Sequence, residues 1–143
     1  MSEKKEKTAQ SAKEGISSNK FNKKPIKGTR FALMISSAKG GVGKSTFAVN
    51  IAFAFQNLGM KVGILDADIY GPSVPTMMDV EGYVPKSTKV NGKSMIDPIE
   101  SYGVKIMSIG FFTKLDQAVI WRGPMASKAL NQMIFDTNWG SLD

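Results

Sequence analysis

Ser37-Ala-Lys-Gly-Gly-Val-Gly-Lys-Ser-Thr46 is the stretch on which the reading of this 143-residue chain turns. Glycines at 40, 41 and 43 let the backbone turn tightly and bring its N–H groups within reach of an anion. Residues 38–45 follow the G-x-x-x-x-G-K-[ST] pattern of a phosphate loop, with Ala38 in place of the first glycine. In such a loop Lys44 reaches the β- and γ-phosphates of a nucleotide, the Ser45 hydroxyl ligates Mg2+, and Thr46 donates to the α-phosphate. A helix beginning at this point adds its positive end to the attraction for phosphate.

Flanking residues give the loop its setting. Phe31-Ala-Leu-Met-Ile-Ser36 is a short, nearly continuous apolar run, as expected of a strand buried on both faces of a parallel sheet. Ser45 to Leu58 places Phe47, Ile51, Phe55 and Leu58 at helical spacing, with Gly59 as the stop. Lys61-Val-Gly-Ile-Leu-Asp66 reads as a second buried strand, so residues 31–66 form a βαβ unit with a right-handed crossover. Beyond it, Ser73–Met78 has room for one helical turn, and residues 80–93 read as loop. Met95–Ile99 and Val104–Ile109 are expected strands, with Pro98 arguing against a long central one. Pro124 suits the first turn of a helix running to about Asp136.

The charge is divided unevenly. The chain carries +7, yet residues 1–30 hold nine Lys/Arg against three Asp/Glu, leaving ten against nine for residues 31–143. Residues 1–29 are expected to be a disordered basic tail, too poor in apolar groups to offset the entropy of ordering, and residues 30–143 the folded part. Such a tail suits nucleic acid or anionic lipid, but no aromatic interleaving or basic helical face accompanies its lysines. A solubilising leader is the favoured reading, and nucleic acid is not expected as a partner. With neither cysteine nor histidine, the chain offers no disulfide, no thiolate ligand and no imidazole base. No apolar run approaches the roughly 20 residues of a membrane span, and no secretory leader is evident, so a cytoplasmic protein is expected.

Lys39 extends the loop to K-G-G-x-G-K-[ST]. This resembles the deviant Walker A ATPases, a group that includes MinD, ParA, the nitrogenase iron protein and the Mrp/ApbC carriers. The resemblance implies an α/β fold: a P-loop NTPase with a doubly wound, mostly parallel sheet flanked by helices, incomplete in this chain. It implies that ATP with Mg2+ is held by Lys39, Gly40, Gly41, Val42, Gly43, Lys44, Ser45 and Thr46. In that group the extra lysine reaches the nucleotide of a second subunit, which implies a homodimer and a catalytic part for Lys39 beside Lys44. A parallel sheet presents the carboxyl ends of its strands to the ligand crevice, where Leu65-Asp-Ala-Asp68 falls. By the resemblance Asp68 orients or activates the attacking water, and Asp66 lies nearer Mg2+, acting through water.

Asp66-Ala-Asp-Ile-Tyr-Gly-Pro-Ser73, Trp121-Arg-Gly-Pro-Met125 and Asn138-Trp-Gly140 are similar to segments of the Mrp/ApbC branch of iron–sulfur cluster carriers. That branch implies an ATP-hydrolysing carrier or scaffold delivering clusters to apo iron–sulfur proteins. Arg122 suits a phosphate, a partner carboxylate or a surface ion pair. Members of the branch continue through a further strand ending in Asp to a Cys-x-x-Cys pair that holds a bridging 4Fe–4S cluster. The 143 residues contain neither, so the chain reads as an N-terminal portion, with the cluster expected only in the missing C-terminal part. The alternative is a ParA/MinD-type positioning or partitioning ATPase, for which a basic amphipathic helix would replace the cysteine pair. Met77, Met78, Met125 and Met133 read as core or interface filler.

Overall fold

The computed structural model describes residues 24–113 and 123–143. The glycine loop leads into α1 (Lys44–Asn57), whose N-cap Gly43 stands at φ 87°. The helix ends at Gly59, which adopts φ 85° and donates its amide to the Gln56 carbonyl at 2.9 Å. Then follow β1 (Gly63–Asp66), α2 (Val74–Met77), β2 (Ser87–Val90), β3 (Lys93–Ile96), β4 (Ile99–Ser101), β5 (Val104–Ser108), α3 (Gly110–Thr113) and α4 (Gly123–Phe135).

The central sheet has the order β1-β5-β4. β1 and β5 run parallel, with Ile64 opposite Ile106 and Asp66 opposite Ser108. β4 joins β5 as an antiparallel hairpin turned on Tyr102-Gly103. A second hairpin, β2 with β3, turns on Asn91-Gly92, so the expected loop over 80–93 contains a strand. All four turn residues have positive φ, the geometry that matches a two-residue turn to the twist of its strands. Asp97-Pro98 separates β3 from β4, dividing the expected strand over 95–99 in two, because proline has no N–H for a ladder.

β5 lies between its two neighbours, and its apolar residues form much of the core. Val104, Ile106 and Met107, with Ile109 just beyond, are buried against Val49 and Ala52 of α1, Val74 and Met78 at α2, Met133 of α4 and Trp139. Met78 and Met133 are thus core, while Met77 and Met125 stay largely exposed. α1 turns a different stripe inward from the one its spacing predicts. Val49 and Ala52 are buried, whereas Phe47 and Leu58 face outward. The helix is apolar on most sides, so its periodicity does not select a face; contact with β1, β5 and α2 does.

Residues 137–143 close the fold. A Cβ on Gly63 would lie 2.9 Å from Leu142 Cδ1 and 3.0 Å from Trp139 Cζ3. The bare Cα is therefore what lets Trp139 and Leu142 lie on β1. The indole N–H donates to the Ile134 carbonyl at 3.2 Å, and Lys105 Nζ to the Trp139 carbonyl at 2.8 Å.

The expected strand over 31–36 is a correction. The segment forms no strand, and Phe31, Leu33 and Met34 are 71%, 64% and 86% exposed. A strand needs a ladder, and only its first rungs are present. Arg30 N donates to Leu142 O (3.2 Å) and Phe31 N to Asp143 O (2.8 Å), while Asp143 N donates to Lys61 O (2.9 Å). Leu142 and Asp143 therefore lie between the start of this segment and the approach to β1, and no described strand continues the pairing. The βαβ unit over 31–66 is accordingly unpaired at its first limb. The parallel pair that does form is β1 with β5.

Contacts are also present just before residue 30. Ile26 packs against the core, and Gly28 accepts from the Leu142 amide at 2.7 Å. Most of the basic tail, residues 1–23, and Arg122 lie outside the described residues. Among the described residues no helix is long and apolar enough to cross a membrane.

Candidate functional site

The glycine loop has the form of an anion cradle. Gly41 and Gly43 stand at φ 71° and 87°, the left-handed region, and their Cβ positions meet nothing within 4 Å. The loop is open to solvent on that side. The Ser37 hydroxyl donates to the Lys39 carbonyl at 2.6 Å and accepts its amide at 3.3 Å, fastening the loop's entry. Phe47 N makes the first helical bond, to Gly43 O at 2.8 Å. Among the described residues no acceptor takes the amides of residues 40–46. Amides left without an intrahelical partner at a helix start are donors that an anion can satisfy together. Lys44 and Ser45 are half-buried there, whereas Lys39, Val42 and Thr46 are exposed.

The two aspartates have unlike surroundings. Asp66 ends β1 and is 6% exposed. Its Oδ1 accepts the Asp68 amide at 3.2 Å, and its Oδ2 accepts the Val74 amide and the Ser108 hydroxyl, both at 3.2 Å. Burial pushes the Asp66 carboxyl above its ordinary range, against the pull of these three donors. Asp68 is exposed, and its Oδ1 accepts the Gly71 amide at 3.2 Å. Asp66 thus shapes the turn, and Asp68 stands out from it.

The structure brings Asp66 and Asp68 together on one turn and Lys44, Ser45 and Thr46 together on the first turn of α1. No hydrogen bond or ion pair links the two groups among the described residues; they are related through the packing of α1 on β1. Sequence reasoning missed Ser108, whose fully buried hydroxyl donates to Asp66. Its signal was a single serine in the otherwise apolar end of the strand over 104–109. Tyr-Gly-Pro-Ser and Asn-Trp-Gly also have packing reasons: Pro72 lies against Gly110, and Trp139 against Gly63.

An α/β core with a glycine cradle opening a helix and acidic groups ending the neighbouring parallel strand defines a P-loop nucleotide-binding protein. Residues 28–143 match the family model described as ParA: NUBPL iron-transfer P-loop NTPase, and the chain belongs to that family. It is 49% identical over 124 residues to an iron-sulfur cluster carrier protein of Aquifex aeolicus, covering 86% of this chain and 33% of that one. It is 46% identical over 118 residues to the iron-sulfur cluster transfer protein NUBPL of Dictyostelium discoideum, covering 82% and 36%. A solved nucleotide-binding protein from Archaeoglobus fulgidus, in complex with ADP, aligns with a TM-score of 0.62 at 32% identity, covering 76% of this chain and 40% of that one. The chain spans about a third of the length of the curated relatives it matches.

Proposed function

We propose that this chain binds Mg-ATP on residues 39–46 and supplies the nucleotide-binding part of a cytoplasmic, homodimeric iron–sulfur cluster carrier serving apo iron–sulfur proteins. The observation that carries the reading is the set of amides over 40–46 with no described acceptor, gathered at the open start of α1 beside Lys44. Phosphate oxygens would accept from those amides, and the Lys44 ammonium would neutralise the β- and γ-phosphates.

The oxygen donors present suit Mg2+, which keeps several waters and takes one or two protein ligands. The Ser45 hydroxyl would hold it directly. Asp66 would hold it through water, since a carboxylate offers about four acceptor sites and three are taken by Asp68, Val74 and Ser108. When bound, the ion supplies charge neutralisation on the β- and γ-phosphates. Asp68, exposed beside this position, would orient the attacking water, and Lys39 would reach the nucleotide of the second subunit. With neither Cys nor His in its 143 residues, this chain would contribute nucleotide chemistry and leave cluster ligation to other sequence.

Titration calorimetry tests the reading. Wild-type chain should bind Mg-ATP at one site, and Lys44→Ala, with an unchanged circular dichroism spectrum, should show no binding heat. Equal affinity in a folded Lys44→Ala variant would remove the loop from the site.

A further inference from the structure

The turn that carries Asp68 begins and ends on one carboxylate. Asp66 accepts the Asp68 amide on Oδ1 and the Val74 amide on Oδ2, spanning residues 67–73. What holds that carboxylate in place comes from the adjacent strand. Ser108 lies directly opposite Asp66 in the β1–β5 register, donates its hydroxyl to Asp66 Oδ2 at 3.2 Å, and accepts the Gly110 amide at 3.0 Å. Its side chain is 0% exposed, among Ile106, Met107 and Ile109. A buried hydroxyl costs free energy unless bonded, and an apolar residue would serve packing alone, so its presence there is explained by the carboxylate it fixes.

The same strand end grips the turn a second time. A Cβ on Gly110 would stand 2.9 Å from Pro72 Cβ and 3.0 Å from Pro72 Cγ. Pro72 therefore lies on the bare Gly110 backbone, one residue beyond Gly71, whose amide Asp68 accepts. Hydrogen bonds hold the turn through Ser108, and van der Waals contact holds it through Gly110.

We propose that Ser108 and Gly110 are positioning residues for Asp68, Ser108 acting through Asp66 and Gly110 through Pro72. The proposal rests on the reading of Asp68 as the residue that orients the attacking water. Ser108→Ala in the 143-residue chain should accelerate hydrogen exchange of the Asp68 and Val74 amides about tenfold, as expected for loss of one hydrogen bond to a buried charged group. The Met78 amide, bonded within α2, should keep its rate. In turnover, Ser108→Ala should lower kcat by a similar factor and change the Kd for Mg-ATP by a few-fold at most, since Asp66 would meet Mg2+ only through water. It should cost nothing further in an Asp68→Asn background, because both changes act on one group. Ser108→Thr, which keeps the hydroxyl, should restore exchange and kcat.

Should Ser108→Ala fail to fold, Gly110→Ala provides the second route. It should displace Pro72 and lower kcat, and Pro72→Gly added to it, which removes both the Cβ and the Cγ that a Gly110 Cβ would meet, should relieve the effect. Unchanged exchange at the Asp68 and Val74 amides would overturn the proposal, as would a kcat loss additive with Asp68→Asn. If the wild-type chain binds Mg-ATP without hydrolysing it, the hydrolytic reading alone fails, and the exchange rates still decide whether Ser108 holds the turn.

Discussion

Lys39 and Lys44 share one loop but not one environment. Lys44 opens α1 and is half-buried beside amides that have no described acceptor, while Lys39 lies farther out and is exposed. Removing Lys39 should therefore leave the phosphate cradle intact. Lys39→Ala is expected to bind Mg-ATP within a few-fold of wild type and to lose ATP-dependent dimerisation, read by sedimentation at saturating nucleotide. Complete loss of binding would place Lys39 within its own subunit's cradle. Asp68 differs from Asp66 in the same way that an exposed group differs from a structural one. Asp68→Asn keeps size and polarity and should bind Mg-ATP normally while turnover falls by about 10²-fold, as for loss of a general base. Normal steady-state rates in that variant would exclude Asp68 from the mechanism.

Elements show where local preference and packing part company. The two hairpin turns follow their sequence, because Asn-Gly and a glycine after Tyr102 tolerate positive φ. The segment over 31–36 does not follow its own. Its apolar run is strand-like, but a strand is a property of a pair, and the rungs stop at Phe31. At Gly63 the reverse holds: a residue that weakens a strand is required because Trp139 and Leu142 lie on it. Gly63→Ala should lower unfolding free energy by about 1–3 kcal/mol, the usual cost of overpacking. Urea denaturation followed by circular dichroism checks this, and no loss of stability would mean that the 137–143 segment moves away without cost.

At the scale of the molecule, charge and ligand chemistry are separate from the fold. The basic excess belongs to residues 1–30, and the remainder is nearly balanced. Cluster iron needs thiolate or imidazole ligands, and neutral methionine thioethers do not replace them. Anaerobic treatment of the 143-residue chain with iron and sulfide should leave it colourless, whereas a full-length relative bearing a Cys-x-x-Cys pair should develop a charge-transfer band under the same conditions. A brown, stoichiometric cluster on the short chain would show that side chains other than Cys and His hold the iron.

The loop over residues 39–46, the helix behind it and the strands over 63–66 and 104–108 were legible in the sequence because each rests on local rules: glycine dihedrals, helix stops and short apolar runs. The family was legible for the same reason, since its motifs are contiguous. Tertiary structure alone decided which face of α1 is buried, that residues 31–36 lack a ladder, and that Ser108 and Gly110 hold the turn carrying Asp68. These depend on contacts between residues far apart in the chain, such as Asp66 with Ser108 and Gly63 with Trp139. A sequence states which groups are available for pairing; only the folded chain states which partners reach them, because a hydrogen bond or a packed methyl group exists only where two backbones have been brought within a few ångströms.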